Sequence, residues 1–311
     1  MFHQLTPEYH EICLEACNPD NLTVGVIGVD ELEETRQHFG FSQRVIQECL
    51  SERGRYRNSV DVFDDYTFCV VTVVDAANPL THSDKVAFFF KRNLFLMVKL
   101  DDTDGSTEML FMGAAKRYRA EAATMEKVVS AVFESFIDRD GDILASMEFD
   151  ITAMEEEIAT GKIDRAFYTE VFERRKKLLI LRNYYEQLID IGEELQENEN
   201  DIFEEGSLRY IAMFTGRVQR FNASVQLLRD SLTQLREAYQ AAMDYQLNRV
   251  IKMLTVLATV YLPPTLIAGW YGMNFKHMPE LNWWFGYPLV IVLSVLFVMV
   301  SMIYFKRKKM L

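Results

Sequence analysis

The sequence predicts an α+β cytosolic domain built with long helices, the last of which continues as a stalk into the first of two transmembrane helices. Three observations predict this. Residues 1 to about 112 mix short β-type runs with short amphipathic helices. Ser207 to Ala268 keeps a helical pattern with no breaker except Gly216 until Pro263. Two apolar runs of 21 residues, Val250–Trp270 and Phe285–Phe305, follow near the end. The expected layout is a cytosolic α/β subdomain (1–113), a long-helix and stalk region (114–248), a first membrane helix (249–271), an outer loop (272–284), a second membrane helix (285–305) and a basic tail (306–311).

Taken in order, Val24–Val29 reads as a strand, and Glu31–Gly40 and Ser42–Glu52 as short amphipathic helices. Ser59–Val74 alternates and is rich in Val, Phe and Tyr, as strands are. Lys85–Phe90 and Leu94–Leu100 read as two strands joined by a turn at Lys91-Arg92-Asn93, and Met109–Met112 as a further strand. Together they predict one sheet with flanking helices. From Ala114 to about Thr160 the pattern turns helical, with Val128, Val132, Phe136, Ile143, Met147, Ile151, Met154 and Ile158 at helical spacing and Gly161 as the stop. Ile163–Glu197 predicts a second long helix carrying Leu178, Leu181, Leu188 and Leu195; residues 197–206 read as an acidic loop, and Ser207 as the cap of a third helix. At about 1.5 Å per residue, Ser207 to Ala268 spans on the order of 90 Å, too long for a compact domain. Asp138-Arg139-Asp140-Gly141-Asp142 imitates a calcium loop, but its glycine falls at position four and position twelve is Phe149. It reads as an acidic stretch of helix.

The net charge of −13 hides a division. Residues 248–311 hold seven basic residues against Glu280 alone, a net +6, which leaves −19 on residues 1–247. So acidic a domain repels nucleic acid and attracts cations. Cys13, Cys17, Cys49 and Cys69 lack CxxC spacing and a second ligand cluster, which argues for reduced thiols in a cytosolic setting rather than zinc. The first fifteen residues have neither the apolar core nor the cleavage pattern of a secretory signal. No nucleotide-binding GxxxxGK[ST] loop occurs, and five scattered histidines suggest no catalytic centre, so neither a pump nor an enzyme is expected.

Each apolar run is long enough for a hydrocarbon core of about 30 Å. Lys252 is the one charge in the first, and the second has none. Trp270, Tyr271, Trp283, Trp284 and Tyr287 cluster at the ends facing the link, as an interfacial belt does. Arg249, Lys252 and Lys306-Arg307-Lys308-Lys309 mark the other flanks, which places both termini in the cytosol. The first span carries Thr255, Thr259, Thr265, Gly269 and Pro263-Pro264, whereas the second is aliphatic. The first therefore lines an aqueous path and the second faces lipid. Two spans cannot enclose a pore, so a path requires a ring oligomer. Asn248, Thr255, Leu262 and Gly269 stand seven apart, and Ile251, Ala258, Thr265 and Gly272 form an adjacent row. Extended backward, that row meets Asp244, Glu237 and Asp230, which would stack as rings of negative charge and favour cations.

After the first span come Tyr271-Gly272-Met273-Asn274-Phe275 and Met278-Pro279-Glu280-Leu281. Here the chain resembles the CorA family of magnesium transporters, whose signature is Gly-Met-Asn, within YGMNF and followed by MPEL, at the outer end of the first of two C-terminal spans. The close match runs from about Asn248 to the end; upstream only the layout is similar. The resemblance implies a homopentamer in the cell (inner) membrane with a funnel-shaped cytosolic domain, and Gly272, Met273 and Asn274 as its selectivity filter. Mg2+ sheds water reluctantly, so a ring of Asn274 carbonyls would accept hydrogen bonds from the ion's own waters. Glu280 would concentrate cations at the entrance. The resemblance also places Asn248 at the cytosolic end of the pore, Leu254 and Leu262 at the hydrophobic constriction, and Glu237 in an acidic ring of the stalk. Leu262 stands where relatives often have Met. Regulatory Mg2+ binds between cytosolic domains in the family; Asp75 and Asp84 lie in the corresponding region, but the stalk position expected to oppose them is Met213. The expectation is Mg2+ influx down the membrane potential, closed by intracellular Mg2+, with no organic cofactor. The alternatives are Zn2+, Co2+ or Ni2+ transport by the same fold, with or without proton coupling, and a membrane-anchored sensor or scaffold that transports nothing.

Overall fold

Seven strands, β1 (Phe2–Gln4), β2 (His10–Ile12), β3 (Thr23–Gly28), β4 (Val60–Val62), β5 (Tyr66–Val73), β6 (Asp84–Lys91) and β7 (Leu94–Asp101), form one sheet in the order β2-β1-β3-β7-β6-β5-β4. A computed structural model describes residues 1–6, 9–50, 60–81, 83–102, 104–119, 122–161, 166–274, 278 and 283–308. Every neighbouring pair is antiparallel except β3 and β7, which run parallel from Thr23↔Leu94 to Gly28↔Lys99. The central strands are buried on both faces, which explains their near-continuous apolar runs. On one face Phe68, Phe89, Leu96 and Val98 share a core with Leu32 of helix α1 (Leu32–Phe39), Phe41 of the turn that follows, and Val45 and Ile46 of helix α2 (Gln43–Leu50). On the other, Phe88, Phe90 and Phe95 meet Phe111, Phe133 and Phe136.

Those last rings belong to helices α3 (Ser106–Ala115) and α4 (Met125–Ser135) and the turn that follows. Met109–Met112, expected as a strand, lies inside α3. The helix is set upstream of the apolar run: Asp104 accepts the Ser106 N–H at 2.9 Å and Asp102 the Glu108 N–H at 3.2 Å, satisfying donors that a first turn leaves open. Thr107, Phe111, Ala114 and Ala115 then face inward while Met109 is 75% exposed. The helical stretch expected from Ala114 to Thr160 is divided among the end of α3, α4 and α5 (Asp140–Ala159). The acidic segment 138–142 is where α5 begins rather than its interior, and Asp140 is buried. Gly161, the expected stop, has a φ of +77°.

Helix α6 (Phe167–Glu197) buries Leu178, Leu181, Leu188 and Leu195, as their spacing requires. It also closes the sheet. β4 covers β5 only from Thr67 to Cys69. Beyond that, Gln187 takes the place of a strand: its amide donates to the Val70 carbonyl at 2.8 Å and accepts from the Thr72 N–H at 3.4 Å. Ser207 does not cap the next helix; it sits in a 3-10 turn and its hydroxyl bonds the Glu204 carboxylate at 3.4 Å. Helix α7 (Arg209–Tyr271) has 63 residues and α8 (Gly286–Arg307) has 22. By contacts the chain forms two units, Met1–Leu235 and Arg236–Leu311, and α7 contributes to both.

Candidate ion pathway

Helix α7 carries nearly all of the candidate residues. In its first part Val225, Leu228, Leu232 and Leu235 are buried, three or four residues apart, and form its inward face. Asp230 and its heptad successors Glu237 and Asp244 are all exposed. At 3.6 residues per turn they fall on the side of the helix away from those leucines. The same geometry places Asn248, Ile251, Leu254, Thr255, Ala258, Leu262, Thr265 and Gly269 within an arc of about 120° that also contains the three acids. All eight are exposed on the single chain, while Val256, on the far side of the helix, is buried. One stripe therefore runs from carboxylates through small, hydroxyl and apolar side chains toward Gly272.

Within the first span the threonine hydroxyls turn back on the helix. Thr255 bonds the Ile251 carbonyl, Thr259 that of Thr255 and Thr265 that of Tyr261, at 2.7 to 2.8 Å. The span stays helical through Pro263 and Pro264. Neither proline has an N–H to give to the carbonyls of Thr259 and Val260, so these two backbone acceptors lack their usual i+4 donor. The hydroxyl spacing was legible in the sequence; these carbonyls follow only once the helix is seen to continue across the prolines.

At the outer end the Gly272 N–H reaches the Ala268 carbonyl at 2.9 Å and the Met273 N–H that of Trp270 at 3.3 Å, so the helix ends as a tightened turn. A Cβ on Gly272 would lie 3.0 Å from the Ala268 carbonyl oxygen, closer than carbon and oxygen comfortably pack. Met273 and Asn274 are exposed beyond it. Phe275, Pro279, Glu280 and Leu281 lie outside the described residues. Trp270, Trp283, Trp284 and Tyr287 are each more than 60% exposed at the linked ends of the two spans, as an interfacial belt requires. Both α7 and α8 contain stretches long and apolar enough to cross a membrane, and little of either stretch is buried.

The two acids expected to hold regulatory metal are engaged separately. Asp75 shapes its own turn, accepting from the Ala77 N–H at 3.0 Å and the Asn78 amide at 3.3 Å. Asp84 accepts the hydroxyls of Ser106 at 2.7 Å and Thr107 at 2.9 Å. It is grouped instead with Asp102 and Asp104, one carboxylate oxygen of each lying within 4.8 Å of the others. Three carboxylates at that separation are the donor set a hard cation takes. Asp102 and Asp104 were not among the residues singled out in the sequence; the close spacing of acids in Asp101-Asp102-Thr103-Asp104 was their only signal.

Comparison with known proteins identifies the family. Residues 29–307 match the family model described as CorA-like Mg2+ transporter protein. The chain is similar to the cobalt/magnesium transport protein CorA of Thermotoga maritima, 25% identical over 298 residues, covering 94% of this chain and 82% of the relative. A stretch of 75 residues is 51% identical to the magnesium transport protein CorA of Escherichia coli K12, 23% of this chain and 24% of that one. The complete structure of the CorA magnesium transporter from Methanocaldococcus jannaschii superposes with a TM-score of 0.77 over 98% of this chain and 96% of that one, at 19% identity. These proteins transport ions and are not enzymes. With a family model that matches residues 29–307, through the last residue of α8, the chain belongs to the CorA-like Mg2+ transporter family.

Proposed function

We propose that this chain is one subunit of a ring, a homopentamer, whose α7 helices line a path for Mg2+ into the cytosol. The observation that carries the reading is the continuous stripe on α7, from Asp230, Glu237 and Asp244 through Asn248 and Thr265 to the turn at Gly272, Met273 and Asn274. Around a symmetry axis the acids become rings that concentrate cations and reject anions. Leu254 and Leu262 become apolar rings that close the path by dewetting. Asn274 offers carbonyl oxygens to the waters of a hydrated ion, which spares Mg2+ its costly dehydration. One divalent charge falling through 100 mV gains about 2 × 2.3 kcal/mol, enough to drive influx without a nucleotide. The basic residues beside both outer flanks support a reading with both termini in the cytosol and the ring in the inner membrane. Cytosolic Mg2+ closes the ring by binding the acidic unit, and Asp84 beside Asp102 and Asp104 is the group of three among the described residues close enough to share an ion.

The test is Mg2+ uptake into proteoliposomes with an inside-negative potential and no pH gradient, for the full chain and for Asn274→Ala. Uptake in the wild type that the substitution abolishes supports the reading. No wild-type uptake by folded protein, together with Zn2+, Co2+ or Ni2+ uptake that requires a pH gradient, would overturn it.

A further inference from the structure

A carboxyl group is buried where α5, α6 and α7 meet. Asp140, in the first turn of α5, is 3% exposed. The Tyr185 hydroxyl of α6 donates to its Oδ2 at 2.8 Å, and Tyr185 is itself fully buried. Phe221 of α7 closes the other side. Its ring reaches within 3.5 Å of the position a Cβ on Gly141 would take, and its centroid lies 5.8 Å from that of Tyr185. Arg217, one turn earlier on α7, holds its guanidinium 5.6 Å from the Phe221 ring. Burying a charge without a charged hydrogen-bond partner is costly, and a tyrosine hydroxyl is neutral.

The charged and titratable groups facing Asp140 come from each element around it. From α6 there are Tyr184 and Tyr185, and the Tyr184 hydroxyl goes to the Phe136 carbonyl at 3.4 Å instead. From α7 there is Arg217, from the preceding turn Asp138, and from the segment after β5 Asp75. Burial is the largest influence and disfavours the ionised form. The Tyr185 bond opposes it, Asp75 adds to it, Arg217 opposes it and Asp138 adds to it, and the balance lifts Asp140 to about 6.

We propose that Asp140 is a proton-binding site that couples proton occupancy to the seating of α7 on α5 and α6. Protonated, the carboxyl is a neutral partner for Tyr185 beneath Phe221. Ionised, it attracts Arg217 and water, and Phe221 loosens. An acid raised on folding stabilises the fold fully below its unfolded value, and that stability is lost as pH rises through the folded one. Hence the contact is tightest below about pH 4, weakens toward pH 6 and is level above. The helix concerned continues into the first span, yet the inference does not depend on which ion is carried.

The test is hydrogen exchange of the peptides covering residues 214–224, in the full chain in lipid nanodiscs at pH 4.5 to 8, corrected for intrinsic exchange. In the wild type the opening constant should rise with pH, by at most about tenfold per pH unit, and flatten above pH 6. Asp140→Asn should flatten the whole profile and keep at pH 8 the protection that the wild type shows at low pH. Arg217→Gln should keep the response and move its midpoint upward, because it removes the cation that favours the ionised form. A wild-type profile without pH dependence, an Asp140→Asn profile that retains it, or an unmoved midpoint in Arg217→Gln would each overturn the proposal.

Discussion

Two glycine-to-alanine substitutions, on helices that touch, should change stability in opposite directions. In a helix interior alanine is better than glycine by about 0.8–1 kcal/mol, so on propensity alone both stabilise. Gly192 of α6 is buried against Thr215 of α7: a Cβ there would collide with Thr215 Oγ1 and lie 3.2 Å from its Cβ and 3.4 Å from its Cγ2. The hydroxyl has little freedom to yield. It donates to the Ile211 carbonyl at 3.0 Å and accepts from the Gln196 amide at 2.9 Å, in a residue 3% exposed. Rotating it away sacrifices both bonds, each worth about 1 kcal/mol, and separating the helices costs about 1–3 kcal/mol as overpacking does. After the propensity gain, Gly192→Ala should be destabilising by about 1–2 kcal/mol. At Gly216, one residue along α7, an added Cβ would meet only the end of a flexible side chain among the described residues, Arg220 Nη1 at 3.9 Å, so Gly216→Ala should stabilise by up to about 1 kcal/mol. In a domain of this size 1 kcal/mol moves the melting temperature by about 2–4 °C. Thermal unfolding of the full chain and both variants, in one detergent at one scan rate, reads the effect directly. A Gly192→Ala melting temperature at or above wild type would refute the argument, because it would mean that α7 is not seated on α6 through Thr215.

Two further substitutions test other parts of the structure. Gln187→Met keeps the volume but leaves the Val70 carbonyl and Thr72 N–H without their partner; given the length of the Thr72 bond the loss should be about 2 kcal/mol, seen as roughly thirtyfold faster exchange of the Thr72 amide, and unchanged exchange would show that the sheet edge is covered by something else. Replacing Asp230, Glu237 and Asp244 together by Asn, Gln and Asn should lower Mg2+ flux about tenfold at low ionic strength and far less in 0.5 M salt, because the carboxylates act at a distance that salt screens. An equal loss at both salt concentrations would assign them to folding instead.

The parts legible in the sequence are those whose periodicity is imposed by a uniform surrounding. Strands β6 and β7 are covered on both sides, so their apolar runs announce them. The leucines of α6 report a single inward face, and the two spans need only length and a lack of charge. Met109–Met112 shows where this fails. A four-residue apolar run is compatible with either structure. What decides it is the pair of carboxylates, Asp102 and Asp104, that accept the first-turn N–H groups of α3. The strand-like role of Gln187 was equally invisible, since it depends on β4 stopping where Cys69 leaves the edge of β5 open.

The stripe on α7 was readable because seven residues are almost two full turns, so side chains at that spacing stay on one face whatever surrounds them. Asp140 was misread for a different reason, its residue type. The apolar series through α5, Ile143, Met147, Ile151 and Met154, has the right phase, and seven residues before Met147 it reaches position 140. The helix buries Leu144, Ile151 and Met154 on that face. Four residues before Leu144 is Asp140, on the inward face, while Asp138 and Asp142 on either side of it are exposed. Three acids spaced two apart thus have two different environments. Composition predicts the common one, a solvated carboxylate. Only the helical phase, set by Leu144, Ile151 and Met154, distinguishes the residue whose charge must be set against Tyr185 and Arg217.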